Sequence, residues 1–164
     1  NTYYVRFLSA KPIREAYARI QQIQNGYDKM SPEERVHFEA MQLPNLNMDV
    51  AKWIVLSVSF RSNDPNEESS VRRFFQSETV KTLKNKAFLS TSSCSQVELS
   101  AYFPQREESV GAKFVFPREV NGIPILNKEC QNITLELLDV PGTNSRLRAT
   151  FAVKPMIIDS QLVF

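Results

Sequence analysis

The chain has 164 residues, with 20 Lys and Arg against 18 Asp and Glu and 42% hydrophobic residues, enough to bury a core without disulfides or metal. Its two signs of charge are interspersed, which excludes the electrostatic footprint of a nucleic-acid binder, and its longest clear apolar run, Trp53 to Leu56, falls far short of the roughly 18 residues that span a bilayer. One histidine (His37), two cysteines (Cys94 and Cys130) and four glycines suit a packed binding or structural domain better than an enzyme, because proton-transfer, metal and phosphate sites draw on those residues.

Thr2 to Leu8 reads as a strand, with Tyr3, Val5 and Phe7 on one face and Tyr4, Arg6 and Leu8 on the other. A segment this apolar needs cover, so it is expected to pair with its own sheet, the alternative being that Tyr3, Val5 and Phe7 form a partner strand for a neighbouring subunit. Pro12 then opens a helix on which Ile13, Tyr17, Ile20, Ile23 and Tyr27 recur at helical spacing, with Arg14, Glu15, Arg19 and Gln22 opposite and Asn25-Gly26 at the end. Ser31-Pro32-Glu33-Glu34 starts a second helix as a capping box; Val36, Phe38 and Met41 form its apolar side, and Pro44 is expected to stop it. The polar connection Leu43 to Asp49 divides the chain into residues 1–49, an extended segment plus helical hairpin, and residues 50–164.

After that boundary the period changes to two. In Lys52 to Phe60, Ile54, Leu56, Val58 and Phe60 share one uniformly apolar face, as a core strand requires. A helix near residues 70–85, capped by Ser69 or Ser70, turns Val71, Phe74, Phe75 and Leu83 inward. The remainder reads as strands: Ala87 to Thr91, Gln96 to Phe103, Ala112 to Phe116, Asn132 to Asp139, Arg146 to Lys154 and Ile157 to Phe164. Asn121-Gly122, Pro141-Gly142 and Ser109 to Gly111 supply turns. Val97, Leu99, Ala101 and Phe103 are assigned one face of a single strand, and Leu147, Ala149, Phe151 and Val153 one face of another.

Few residues invite chemistry. His37 on an amphipathic helix reads as a surface residue, and no serine or cysteine stands in a nucleophile motif. Asp64-Pro65-Asn66-Glu67-Glu68 has oxygen ligands in calcium-loop order, but Ser69 and Phe75 occupy the positions that need glycine and a bidentate acid, so it reads as a solvated loop. Asn132-Ile133-Thr134 is a glycosylation sequon at the start of a strand. Cys94 and Cys130 are the one pair available for a bridge, which would add roughly 3 to 4 kcal/mol in the chain-entropy model; two buried thiols are the alternative.

These signals predict an α+β protein: an antiparallel β-sandwich, immunoglobulin-like or a partly open barrel, with an N-terminal helical pair and one inserted helix. The strand-rich part resembles immunoglobulin-like sandwiches in architecture alone, because Trp53 precedes both cysteines and the Cys-Trp-Cys order is absent. The function expected is non-catalytic, with no cofactor or metal: a domain of an exported or cell-envelope assembly that binds another protein or itself, with a cytoplasmic binding module as the other setting. A carrier in which Phe88, Phe103, Phe114, Phe116 and Phe151 line an apolar cavity is the second reading, and a carboxylate-based enzyme the third.

Overall fold

The computed structural model describes residues 1–46, 52–106 and 111–163, and residues 42–46 by their backbone alone. In chain order the elements are β1 (Thr2–Phe7), α1 (Lys11–Gln24), a 3-10 turn (Tyr27–Lys29), α2 (Pro32–Leu46), β2 (Trp53–Arg61), α3 (Pro65–Ser77), α4 (Val80–Leu83) and β3 (Ala87–Thr91). There follow β4 (Val97–Glu98), β5 (Ala101–Phe103), β6 (Ala112–Pro117), β7 (Glu119–Val120), β8 (Ile123–Pro124), β9 (Asn132–Leu138), β10 (Arg146–Ala152), β11 (Ile157–Ile158) and β12 (Gln161–Leu162).

Two antiparallel four-stranded sheets organise the fold, in the orders β1-β2-β6-β5 and β10-β9-β3-β4, with β7-β8 and β11-β12 as small hairpins. Both large sheets have edges, so neither closes into a barrel. β2 and β9 are central, and their sequences explain why: Ile54, Leu56, Val58 and Phe60 alternate on one strand, and Ile133, Leu135 and Leu137 on the other. These residues belong to one buried cluster with Leu89 of β3 and Phe114 and Phe116 of β6. α3 contributes Val71 and Phe75, and Phe75 meets Phe114 edge-on with ring centroids 6.4 Å apart. Tyr102 of β5 packs on the same Phe114 ring and donates its hydroxyl to the carbonyl of Phe75.

β1 pairs antiparallel with β2 in the register Tyr3 to Phe60, Val5 to Val58 and Phe7 to Leu56, so Tyr3, Val5 and Phe7 lie in the chain's own sheet. Their side chains pack on the chain's own core, where the Tyr3 and Phe60 rings stand 4.7 Å apart. The apolar register explains this choice, because a slip by one residue would turn Arg6 into the core.

Five local features depart from the sequence reading. The last strand expected, from Ile157, is instead a hairpin of β11 and β12, turned by Asp159 and Ser160 at positive φ. α3 starts at Pro65, five residues early, because Asp64 rather than Ser69 or Ser70 caps it by accepting the Asn66 N–H at 2.9 Å, with Pro65 at the first helical position. Residues 70–85 hold two helices, since Thr79 and Thr82 form a second capping box at α4. α2 runs to Leu46, so Pro44 removes one hydrogen bond in its final turn without ending it. The strand expected over Gln96 to Phe103 breaks at Leu99-Ser100, where the chain leaves the β3 sheet and the Ser100 N–H already donates to Val115 at 2.8 Å in the other. That crossing shifts the alternation, burying Tyr102 and leaving Phe103 56% exposed. Asn47 to Asp49, Ser109, Val110 and Phe164, parts of the expected connection, turn and last strand, lie outside the described residues.

Candidate docking face on the N-terminal helical pair

α1 starts directly after the first strand. Ser9 is wholly buried and accepts the Val55 N–H, and the Arg14 Nε donates to the Ser9 carbonyl at 3.2 Å, which anchors the first turn to β2. Beyond that anchor the helix has no buried residue. Ile13, Tyr17, Ile20 and Ile23, at spacings of four, three and three, form an apolar stripe that is 43 to 63% exposed. The sheltered side is made instead by Arg14, Ala18, Gln21 and Gln22, all half-buried. The helix therefore sits with its hydrophobic stripe toward water, the reverse of what its periodicity predicts for a helix packed on its own domain.

The turn between the helices is held by a polar-aromatic knot. Tyr27 and Phe38 have ring centroids 5.6 Å apart, and the Arg35 guanidinium lies 5.1 Å over the Tyr27 ring while donating to the Asp28 carbonyl at 3.0 Å. Tyr27 donates its hydroxyl to Glu39, a bond that holds the phenol above its ordinary value. Arg19 reaches Asp28 at 3.5 Å. These contacts use Phe38 but leave Val36 and Met41 about two-thirds exposed, so α2 also fails to bury the apolar side predicted for it.

Between α2 and the end of α1 lies an open concavity of about 540 Å³. Its apolar lining comes from Met30, Phe38 and Met41, and its polar rim from Glu33, Glu34 and His37, with Asn25 at the α1 end. The spacing of Glu33, His37 and Met41, and of Glu34 and Phe38, puts them on one side of α2. Ser31 and Glu34 cap the helix reciprocally, at 2.7 Å from the Ser31 N–H to the carboxylate and 3.3 Å from the Glu34 N–H to the hydroxyl. The Ser31 N–H bond, helped by the Ser31 hydroxyl, holds the Glu34 carboxyl below the usual range, so this side of the rim is anionic at neutral pH. Sequence reasoning placed His37 on the surface but did not gather this set; the four-residue spacing along α2 was the available signal.

The other candidate residues are dispersed. Cys94 and Cys130 are unpaired, so the possible bridge between them is not formed; Cys130 is buried and Cys94 half-buried. Each has other contacts: the Ser93 hydroxyl lies 3.2 Å from the Cys130 sulfur, and the Cys94 N–H donates to Thr91 at 3.1 Å. Of the five phenylalanines expected to line a cavity, Phe114 and Phe116 are fully buried on β6, and Phe151 packs edge-on against Phe7 at 5.6 Å. Phe103 is exposed, and Phe88 is half-buried on the face of β3 opposite Ala87 and Leu89, so the five do not converge. The carboxylates of the Asp64 to Glu68 segment are engaged at the start of α3, with Glu67 accepting from Asn1 at 2.7 Å and Glu68 from Arg61 at 2.8 Å. No helix among the described residues is long and apolar enough to cross a membrane.

The chain was compared with protein-family models, with curated proteins and with solved structures, and nothing in any of the three matches it.

Proposed function

We propose that this domain is a non-catalytic protein-binding module that docks its partner through the N-terminal helical pair. The observation that carries the reading is the inverted placement of α1, with Ile13, Tyr17, Ile20 and Ile23 toward water and Arg14, Gln21 and Gln22 sheltered. Each such half-exposed side chain forgoes on the order of 1 kcal/mol of burial. A helix of 14 residues is marginal alone, so a stripe kept apolar without burying it points to cover from outside the chain. The sheets act as the scaffold that presents the pair, and we read them as the halves of a β-sandwich because one buried cluster draws on both.

The test is a photo-crosslinking residue placed at Ile20, at Gln22 on the sheltered side of α1, or at Arg148, exposed on the edge strand β10, in cells that make the protein. Protein adducts concentrated at position 20 are expected. Equal yields at the three positions, or none at position 20, would overturn the reading. As a stability control, Ile20→Ser should cost under about 0.5 kcal/mol, whereas Phe75→Ala in the core should cost about 3 to 5 kcal/mol.

A further inference from the structure

We propose that the partner is a second copy of this chain, with α1 of each protomer laying its apolar stripe into the α2 concavity of the other around a two-fold axis. The proposal rests on the docking reading above and supplies its occupant.

Charge is the first argument. α1 carries Lys11, Arg14 and Arg19 against Glu15, whereas α2 carries Glu33, Glu34 and Glu39 against Arg35. A surface that suits α1 must be acidic and one that suits α2 must be basic, so each helix supplies what the other requires. An anionic lipid surface would attract α1 and be repelled by the neighbouring α2. Complementary rims of this kind set orientation and partner choice more than affinity.

Shape and area agree. An apolar stripe with exposed Arg19 at its margin matches an open concavity with Met30, Phe38 and Met41 inside and Glu33 and Glu34 at its rim, the arrangement of a helix in a groove. The helices are about 21 and 22 Å long, so they can lie along one another for their full length. A protomer's own α1 reaches the concavity only through Asn25, past the end of the stripe, which leaves the groove open to another molecule. Ile13, Tyr17, Ile20, Ile23 and Met41 expose on the order of 100 Å² each, which gives about 1,000 Å² across a two-fold pair before the charged rims are counted, near the minimum for a specific interface. Because each protomer offers both surfaces, the contact is made twice and the assembly closes as a dimer.

The experiment is sedimentation velocity on the full chain, on Arg19→Glu, on Glu33→Arg and on the equimolar mixture of the two variants. Arg19→Glu sacrifices exposed contacts, a 3.5 Å ion pair with Asp28 and a 3.1 Å hydrogen bond to Gln22, and thermal unfolding checks that both variants stay folded. The full chain is expected to dimerise, and each variant alone to dimerise at least tenfold more weakly. The mixture should recover the dimer, because both contacts of the mixed pair then unite opposite charges. Ile20→Ser, which leaves helix and charges intact, should also weaken the dimer at least tenfold. A dimer indifferent to all three substitutions overturns the proposed interface. A monomeric full chain that still crosslinks to a different protein from position 20 overturns the second-copy proposal and leaves the docking reading standing. A monomer that binds vesicles of anionic phospholipid and forms no protein adduct, or one that does neither, overturns both.

Discussion

The hydroxyl of Ser9 accepts the backbone N–H of Val55 at 3.1 Å, in a position that water does not reach. The same Val55 receives the N–H groups of Leu8 and Ser9 on its carbonyl, at 2.8 and 3.3 Å. Together these bonds end the β1–β2 pairing and aim the chain into α1. Ser9→Ala should therefore cost about 1 to 3 kcal/mol, the penalty for a buried N–H left without an acceptor, measured by urea denaturation. A cost below about 0.5 kcal/mol would contradict this assignment.

Gly111, the last residue of the expected Ser109 to Gly111 turn, immediately precedes β6 and is pressed against β2. Its φ is +120°, and a Cβ there would stand 2.3 Å from the Val58 carbonyl oxygen, which belongs to the ladder and cannot move aside. Gly26, after α1, has φ +67°, and among the described residues beyond its chain neighbours no atom comes within 4 Å of a Cβ. Gly111→Ala should cost about 3 kcal/mol or more through clash and strain together, and Gly26→Ala about 1 to 2 kcal/mol through strain alone. Thermal melts of the two variants test the order, and a reversal would refute the close approach.

Glu68 links the β2–α3 loop, accepting the Ser62 N–H at 3.2 Å and facing Arg61 at 2.8 Å and Arg72 at 3.5 Å. The Ser62 bond first, and then the arginines, outweigh partial desolvation and hold its carboxyl below the usual range. A folded value below the unfolded one means a stabilising contribution that is complete above the unfolded value and lost as pH falls through the folded value. Glu68→Gln should thus narrow its stability gap from the parent on acidification. Urea midpoints across the acid range measure this, and a gap of constant size would refute it.

Cys130 is 4% exposed. Burial by itself pushes its thiol up, but hydrogen bonds from Ser92 and Ser93, with smaller contributions at Asn127 and from Thr91, outweigh burial and leave it below the ordinary thiol value. With Cys94 replaced by serine, Ser93→Ala should move the thiolate absorbance midpoint of Cys130 to higher pH. An unchanged midpoint would show that the hydroxyl does not hold the thiolate. Alkylation should remain slow in both forms, since the sulfur is shielded.

Much of the local structure was legible because its causes are local. The Ser31–Glu34 capping box, the α1 boundaries and the apolar alternation of β2 and β9 each rest on interactions within a few residues, and the structure reproduces them. The Asn121-Gly122 hairpin joins β7 and β8 as its dipeptide predicts. Misreadings arose where two local signals competed. Asp64 and Ser69 or Ser70 were rival caps for α3, and Ser100 interrupts an alternation that reads as continuous from Val97 to Phe103.

By itself, the sequence determined most of the helical and extended segments and which residues seek burial, because periodicity and capping act over one or two turns of chain. Only the tertiary structure decided where each apolar face went. β1 joined its own sheet because β2 offered a matching register, and the strand ending at Phe103 crossed between sheets at Ser100. α1 kept its stripe outward because Arg14 is tied to Ser9 on the sheltered side, so the periodicity that elsewhere marks the core here marks the candidate docking face. The pattern is the same for a buried and an unpartnered face, since hydrophobicity specifies that a surface needs cover and carries no information on which molecule supplies it.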